Sequence, residues 1–283
     1  MLSSDQENFI LQHAYIPEHI INLMVGLSQG EPFYENGYVF FVKKDVLIFI
    51  GYPLPEISSR EDFVPFLQGS MQKFHPEVTW FIAPEIPSSL RNKVQEIEGD
   101  FYYILPLAAV NFSSRLLRAT QKAAQKLTVA KSREFSREHI LLTKEYLMQE
   151  HIPPKIKELF NRLPEYIKYS STSLILSAWD EGGKLSAYYV LELGGRRFIT
   201  YVLGGYSKEN YVSHASDLLF YEMYKLAKEM QKEYIHLGLG VNEGIRRFKI
   251  KWGGIPYLPY EAGAILSKSK IYFSLFNTLK DKL

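Results

Sequence analysis

Two stretches of the chain repeat one succession of apolar and polar positions. In the first, YVFFVKK and DVLIFIGY are short β-branched and aromatic runs split by a polar break, and they predict a hairpin of strands. REDFVPFLQGSMQKF then predicts a helix, VTWFIAP a strand, SSLRNKVQEI a second helix and FYYILPL a closing strand. In the second stretch, SLILSAW and LSAYYVLEL predict a hairpin across Asp180-Glu181-Gly182-Gly183, whose glycines suit the positive backbone angles of such a turn. RFITYVLGGY predicts a third strand, SHASDLLFYEMYKLAKEMQ a helix, YIHLGLG a strand, NEGIRRFKIKW a helix and IPYLPYEAGAIL the last strand.

From the first helix on, the order of elements is the same twice. Gly51-Tyr52 matches Gly205-Tyr206, Asp62 matches Asp217 and Thr79 matches Ile235, all at a shift of about 155 residues, as expected of a diverged internal duplication. The expected organisation is an amino-terminal unit over 1–110, a charged, mostly helical connector over 111–169 and a carboxy-terminal unit over 170–283. Pro153, Pro154 and Pro164 are expected to punctuate the connector's helices.

Composition narrows the chemistry. Of 283 residues, 46% are hydrophobic and 23% charged, which suits a globular α/β protein with a large core. Net charge is only +2, so any anionic partner must be met by a local patch. The absence of cysteine removes thiol nucleophiles, disulfides and cysteine-ligated metal, and fits a cytoplasmic location. MLSSDQENFILQH lacks the features of a secretion signal, and no apolar run approaches the ~20 residues of a spanning helix. A peripheral position at the inner membrane face stays open. The seven histidines are scattered without ligand spacing, so no metal is expected, and no serine sits in a nucleophile elbow.

YIHLGLGVNEGIRRFKIKWGG, from Tyr234 to Gly254, carries the sharpest motif. Gly238, Gly240 and Gly244 have the wrong spacing for a dinucleotide loop, and too little chain follows for a parallel crossover. The predicted mixed sheet, hairpin first and helices after the third and fourth strands, resembles the fold of the GCN5-related N-acetyltransferases, or GNAT proteins. Asn242, Ile245, Lys249 and Gly253 stand in register with that superfamily's asparagine and following helix, with lysine where a tyrosine often protonates the departing thiolate. GIRRFKIKWGG also resembles the Gly-x-x-x-Phe-Lys-x-x-Phe-Gly ending of the FemAB-like aminoacyltransferases, with Trp252 in place of the second phenylalanine. Those enzymes are tandem GNAT-like folds. The arrangement is similar, too, to the C-terminal domain of phosphatidylglycerol lysyltransferases, and the likeness runs from about Tyr38 to Glu261.

The resemblance implies an acyl- or aminoacyltransferase that works by direct attack of an amine or hydroxyl on an activated acyl group. Acyl-CoA or aminoacyl-tRNA would be a co-substrate, no cofactor would be tightly bound, and the acceptor would be a small molecule, a lipid headgroup or a peptide. Catalysis would lie in the second half, because SSLRNKVQEI lacks the Phe-Lys pattern.

On a helical wheel, Ile245, Phe248 and Trp252 share one face, Arg247 and Lys251 point the opposite way, and Lys249 flanks the apolar side. A partly desolvated Lys249 ammonium reaching a cleft would stabilise developing negative charge, whereas a snorkelling lysine would have no chemical task. Arg246 could join it on a phosphate or carboxylate. Asn242 could cap the helix, contact substrate, or do both.

The junction GGYSKENYVSHASD lacks the glycine-rich loop that grips coenzyme A pyrophosphate, which favours an aminoacyl-tRNA donor under the resemblance. Tyr206, Tyr211 and His214 cluster there as candidates for proton transfer or substrate contact. Glu222 lies beside the apolar arc of Leu219, Met223 and Leu226, where burial would raise its pKa toward general-base duty. Arg115, Arg118, Lys122 and Lys126 recur three and four apart as a ridge roughly 16 Å long, extended by Lys131 and Arg133, for tRNA, coenzyme A phosphates or an anionic headgroup. The rival reading keeps the fold and drops the chemistry: a sensor of a nucleotide, lipid headgroup or peptide.

Overall fold

The computed structural model describes residues 2–55, 63–148 and 154–267. Among them the apolar runs assemble into one eleven-stranded sheet. Its strands are β1 (Glu31–Glu35), β2 (Tyr38–Lys43), β3 (Val46–Ile50), β4 (Val78–Ala83), β5 (Gln95–Pro106), β6 (Leu127–Ser132), β7 (Ser173–Asp180), β8 (Leu185–Glu192), β9 (Phe198–Tyr206), β10 (Tyr234–Leu239) and β11 (Ile255–Leu266). They lie in the order β1-β2-β3-β4-β11-β5-β10-β9-β8-β7-β6.

The halves repeat a plan and exchange their last strands. In each, an antiparallel hairpin leads to a third strand, a helix crosses over, and a fourth strand returns parallel to the third: β3 beside β4, β9 beside β10. The closing strand of the first half, β5, then pairs with β10, while that of the second half, β11, pairs with β4. β5 and β11 also pair with each other, antiparallel, at the centre of the sheet. Of the matched residues, Asp62 lies outside the described residues.

Helices cover both faces. α3 (Phe63–Phe74) and the single turn α4 (Ser88–Arg91) lie on one face of the first half, where Phe63, Leu67 and Leu90 pack with Phe40, Phe49 and Phe81. The other face receives α1 (Ser4–His13), a 3-10 turn at Pro17–His19 and α2 (Ile21–Ser28), through Ile10, Ile16 and Ile21. In the second half α5 (Ser114–Ala124), α8 (Ala215–Glu229) and α9 (Glu243–Lys251) share one core, and α6 (Arg137–Leu147) and α7 (Pro154–Tyr169) lie over the opposite face.

The structure departs from the sequence reading in several elements. SSLRNKVQEI is helical only to Arg91; its Gln95-Glu96-Ile97 joins β5 because residues from Gln95 onward find a ladder partner in β11. LTVAKS, expected within a helical connector, is the edge strand β6, its short alternation completed by pairing with β7. Pro164 lies inside α7 rather than ending a helix. Only Gly183 of the hairpin glycines has positive φ, 72°. The elements before Tyr38 carry weak patterns, though Ser3 and Gln6 form a capping box that starts α1. No helix of the described residues is long and apolar enough to cross a membrane.

Candidate active site

β9 and β10 pair only from Phe198–Thr200 to Tyr234–His236 and then separate. β9 stays with β8, where Leu203 faces Val190 and Tyr201 faces Leu191, so that Val202 is the extra residue of a bulge. β10 stays with β5 and shifts register between His236 and Gly238, whose φ of 71° needs a glycine. Both irregularities lie where the parallel strands part.

The end of β9, the segment leading into α8, and α9 border an open cavity of about 250 Å³, lined by Tyr206, Ser207, Tyr211, His214, Asp217 and Lys251 among others. Asp217, in the first turn of α8, is its organising group. Its Oδ1 accepts hydrogen bonds from Lys251 Nζ and from Trp252 Nε1 at 2.9 Å, and its Oδ2 from His214 Nδ1 at 2.8 Å. Burial works to raise its pKa, but the bonds from Lys251, His214 and Trp252 outweigh it and hold the carboxyl below the usual range. His214 takes a left-handed backbone, φ 67°, to place its ring there. Across the connector, Glu145 on α6 accepts from Ser207 Oγ at 2.7 Å and from the amides of Lys208 and Glu209, fixing the loop behind the cavity.

α9 begins because Asn242 Oδ1 accepts from Ile245 N at 2.9 Å, so capping is what this side chain does. It ends on Trp252, fully buried and stacked on Phe220 with ring centroids 4.7 Å apart. This anchoring rolls Lys249 inward. The lysine is 5% exposed, its Nζ donates to Leu239 O at the end of β10 and stands 5.7 Å from the centroid of Tyr103. Burial pushes its pKa down to about 7, with Asp100 pulling the other way.

The described cavity does not include Lys249. The expected half-solvated ammonium is instead sealed, and the lysine that lines the cavity is Lys251, assigned by the helical wheel to the outer face. Asp217 brings it back in.

No family model and no curated protein matches the chain. Solved structures do. FemX superposes with a TM-score of 0.65 at 11% identity, covering 92% of this chain and 96% of its own. L-PGS from Bacillus licheniformis superposes at 0.57 and 16% identity over 99% and 96%, and a tandem GNAT protein from the clavulanic acid biosynthesis pathway at 0.55 and 10% over 94% and 95%. The chain has a GNAT/FemAB-like fold. In that fold the residues singled out from the sequence fall into three groups.

Tyr206, Tyr211 and His214 meet at the cavity, Tyr211 being 64% exposed. Lys249 and Asn242 belong to α9 but face away from it, inward and to the cap. The rest lie elsewhere. Glu222 is paired with Lys225 at 2.7 Å on the flank of α8, not poised as a buried base. Arg246 is paired with Glu243 at 3.4 Å, its stem against Gly240. Arg115, Arg118 and Lys122 form an exposed row on α5, without an acidic partner among the described residues. That row stops with the helix at Ala124, so Lys126 is off it, and Lys131 belongs to β6 and faces Glu229 at 3.8 Å. Asp217 and Glu145 were missed as site residues. Asp217 had one signal, its place three residues after His214 at a helix start; Glu145 had none, because its loop is about sixty residues away in sequence.

Proposed function

We propose that the chain is a transferase that moves an activated acyl group, from an aminoacyl-tRNA or an acyl thioester, to an amine or hydroxyl by direct attack. The observation that carries this reading is Lys249: a buried amine, on a carbonyl at the end of β10, where β9 and β10 have separated. A lysine with a pKa near 7 exchanges its proton readily at neutral pH. Its protonated form can stabilise the tetrahedral oxyanion or give a proton to the departing oxygen or sulfur. The edge of β9 turned from β8 has no β10 partner past Thr200, which supports the same reading, since an amide on that edge could hold an oxyanion. Tyr206, Tyr211, His214 and Lys251 would bind the donor or acceptor in the cavity, and Arg115, Arg118 and Lys122 would meet tRNA or an anionic headgroup.

The acceptor would be a small molecule, a lipid headgroup or a peptide, met in the cytoplasm or at the inner membrane face, with the second half of the chain as the catalytic unit. Thermal denaturation against coenzyme A thioesters, aminoacyl-tRNA and anionic vesicles identifies the donor, because a ligand of the folded state raises the midpoint. With that donor, Lys249→Ala is expected to lower transfer roughly 100-fold or more with an unchanged fold. An unaltered rate removes the lysine from the mechanism.

The sensor reading is favoured by one observation: Lys249 already has an acceptor, Leu239 O, and the cavity is lined without it. A thermal shift with no turnover for any donor selects it.

A further inference from the structure

Buried polar atoms without partners gather on the face of the sheet beneath the turn Pro17–His19. Among the described residues, Glu18 Oε2, Tyr102 OH and His236 Nε2 are all shielded from solvent and have no hydrogen-bond partner. Tyr102 is 1% exposed and His236 fully buried, their rings 5.0 Å apart and nearly perpendicular. Glu18 and Tyr102 are close enough to act on each other as hydrogen-bonding neighbours, the hydroxyl lowering the carboxyl's pKa and the carboxyl raising the hydroxyl's, but short of the geometry of a formed bond, so both keep capacity for a further partner. His236 Nδ1 accepts from Gly238 N at 3.2 Å, so the proton is on Nε2 and that donor is the idle one. The chain thus presents a carboxyl acceptor, a hydroxyl and an N–H donor to one region between its two halves.

Native interiors satisfy such groups, so three neighbouring exceptions call for an occupant. Its charge follows from Glu18. No cationic side chain is among the groups that set its pKa, which burial drives up to about 7. Lys249 is engaged by Leu239 O and feels Asp100, and its charge reaches His236 rather than Glu18. Tyr102 stands among further aromatic rings, the centroids of Tyr52 and Tyr260 lying 6.0 and 5.3 Å from its own, and such rings favour a cation. Tyr257, 6.5 Å from His236, is 37% exposed, so solvent is one ring away.

We infer that Glu18, Tyr102 and His236 form a binding site for a primary ammonium group, the carboxylate and the tyrosine accepting its N–H bonds and His236 donating to an oxygen or nitrogen acceptor beside it. The binding itself does not depend on the transferase reading; only the equation of that ammonium with the amine of a transferred aminoacyl group, or of an acceptor, rests on it.

The test uses the full chain and two matched probes, glycine ethyl ester hydrochloride and its uncharged hydroxyl counterpart, ethyl glycolate, titrated calorimetrically and by thermal denaturation. The amine is expected to bind and raise the midpoint, and the alcohol to do neither. Glu18→Gln should weaken amine binding at least tenfold, and Tyr102→Phe or His236→Gln a fewfold, each with native circular dichroism. Lys249→Met removes a cation whose charge reaches His236 and so should leave amine binding in place or strengthen it, which separates this site from the proposed catalytic lysine. Equal binding of both probes, or undiminished amine binding by folded Glu18→Gln, overturns the assignment. So does no binding at all, which leaves ordered water as the occupant.

Discussion

The indole Nε1 of Trp252 donates to Asp217 Oδ1 at 2.9 Å, tying the end of α9 to the first turn of α8. The same carboxylate takes Lys251 and His214, so one buried acid holds three donors from two helices. Asp217→Ala strands all three and is expected to cost roughly 2–4 kcal/mol in urea denaturation. Trp252→Phe removes one donor and part of a stacked ring, for about 1–2 kcal/mol. If the two substitutions cost the same, the indole rather than the carboxylate is what holds this corner.

Lys249 makes stability depend on pH in a direction opposite to that of a paired lysine. Its folded pKa, about 7, lies below the unfolded value of 10.5, so between those limits the unfolded chain binds more protons and stability rises with pH. The full rise is on the order of 5 kcal/mol, of which about half is reached by pH 9, before tyrosines titrate in the unfolded chain. Lys249→Met is expected to flatten that part of the profile. An equal rise in wild type and variant between pH 7 and 9 would assign the effect to another group.

Much of the fold was legible because its strands carry their own signal: all eight residues of β8 are buried, and LSAYYVLE is a near-continuous apolar run. VQEI misled because its preference is local and its fate is not. Gln95 and Glu98 become strand by pairing with Ala264 and Ala262, which lie far along the chain. The candidate site shows the same division. Asn242 was readable as a cap from its place before the helix, whereas the inward turn of Lys251 depends on Asp217 of another helix. Glu18 and His236 came together through strand exchange and an amino-terminal turn, neither of which has a periodic pattern.

Gly204 and Gly205 look alike in sequence and differ in what surrounds them. A Cβ on Gly204 would lie 2.4 Å from Tyr189 Cδ1 and 2.7 Å from Tyr188 O; one on Gly205 would come closest to Leu142 Cδ2, at 3.2 Å, with Tyr188 Cε1 and Tyr146 Cγ in ordinary contact at 3.6 and 3.9 Å. Backbone cannot move aside cheaply, but a leucine methyl can. Gly204→Ala is expected to cost about 1–3 kcal/mol and Gly205→Ala clearly less. Thermal denaturation of the pair ranks them, and a reversed order would contradict this packing.

Glu145 is expected to act locally. Its carboxylate receives the amides of Lys208 and Glu209 and the hydroxyl of Ser207, while the cores on either side of the sheet do not depend on it. Glu145→Ala should raise hydrogen exchange at those amides by roughly tenfold or more and move the global midpoint little. Exchange that speeds up throughout the second half instead would make α6 part of the cooperative core.

The exchange of β5 and β11 makes each half depend on the other. A fragment of residues 1–110 ends just after β5, whose two neighbours, β10 and β11, both come from the second half. β4 would lose β11 as well, leaving Phe81 and Tyr102 without the strands that complete their sheet. Such a fragment is expected to be unfolded or self-associated, because a central strand stripped of both ladders exposes its backbone groups and an apolar face. Mixed with 111–283 it should regain a cooperative thermal transition. Circular dichroism and sedimentation of the separate and combined pieces provide the check. A fragment that is monomeric and cooperatively folded by itself would mean that β5 turns back onto β4, and that the exchange is a convenience of the full chain rather than a requirement.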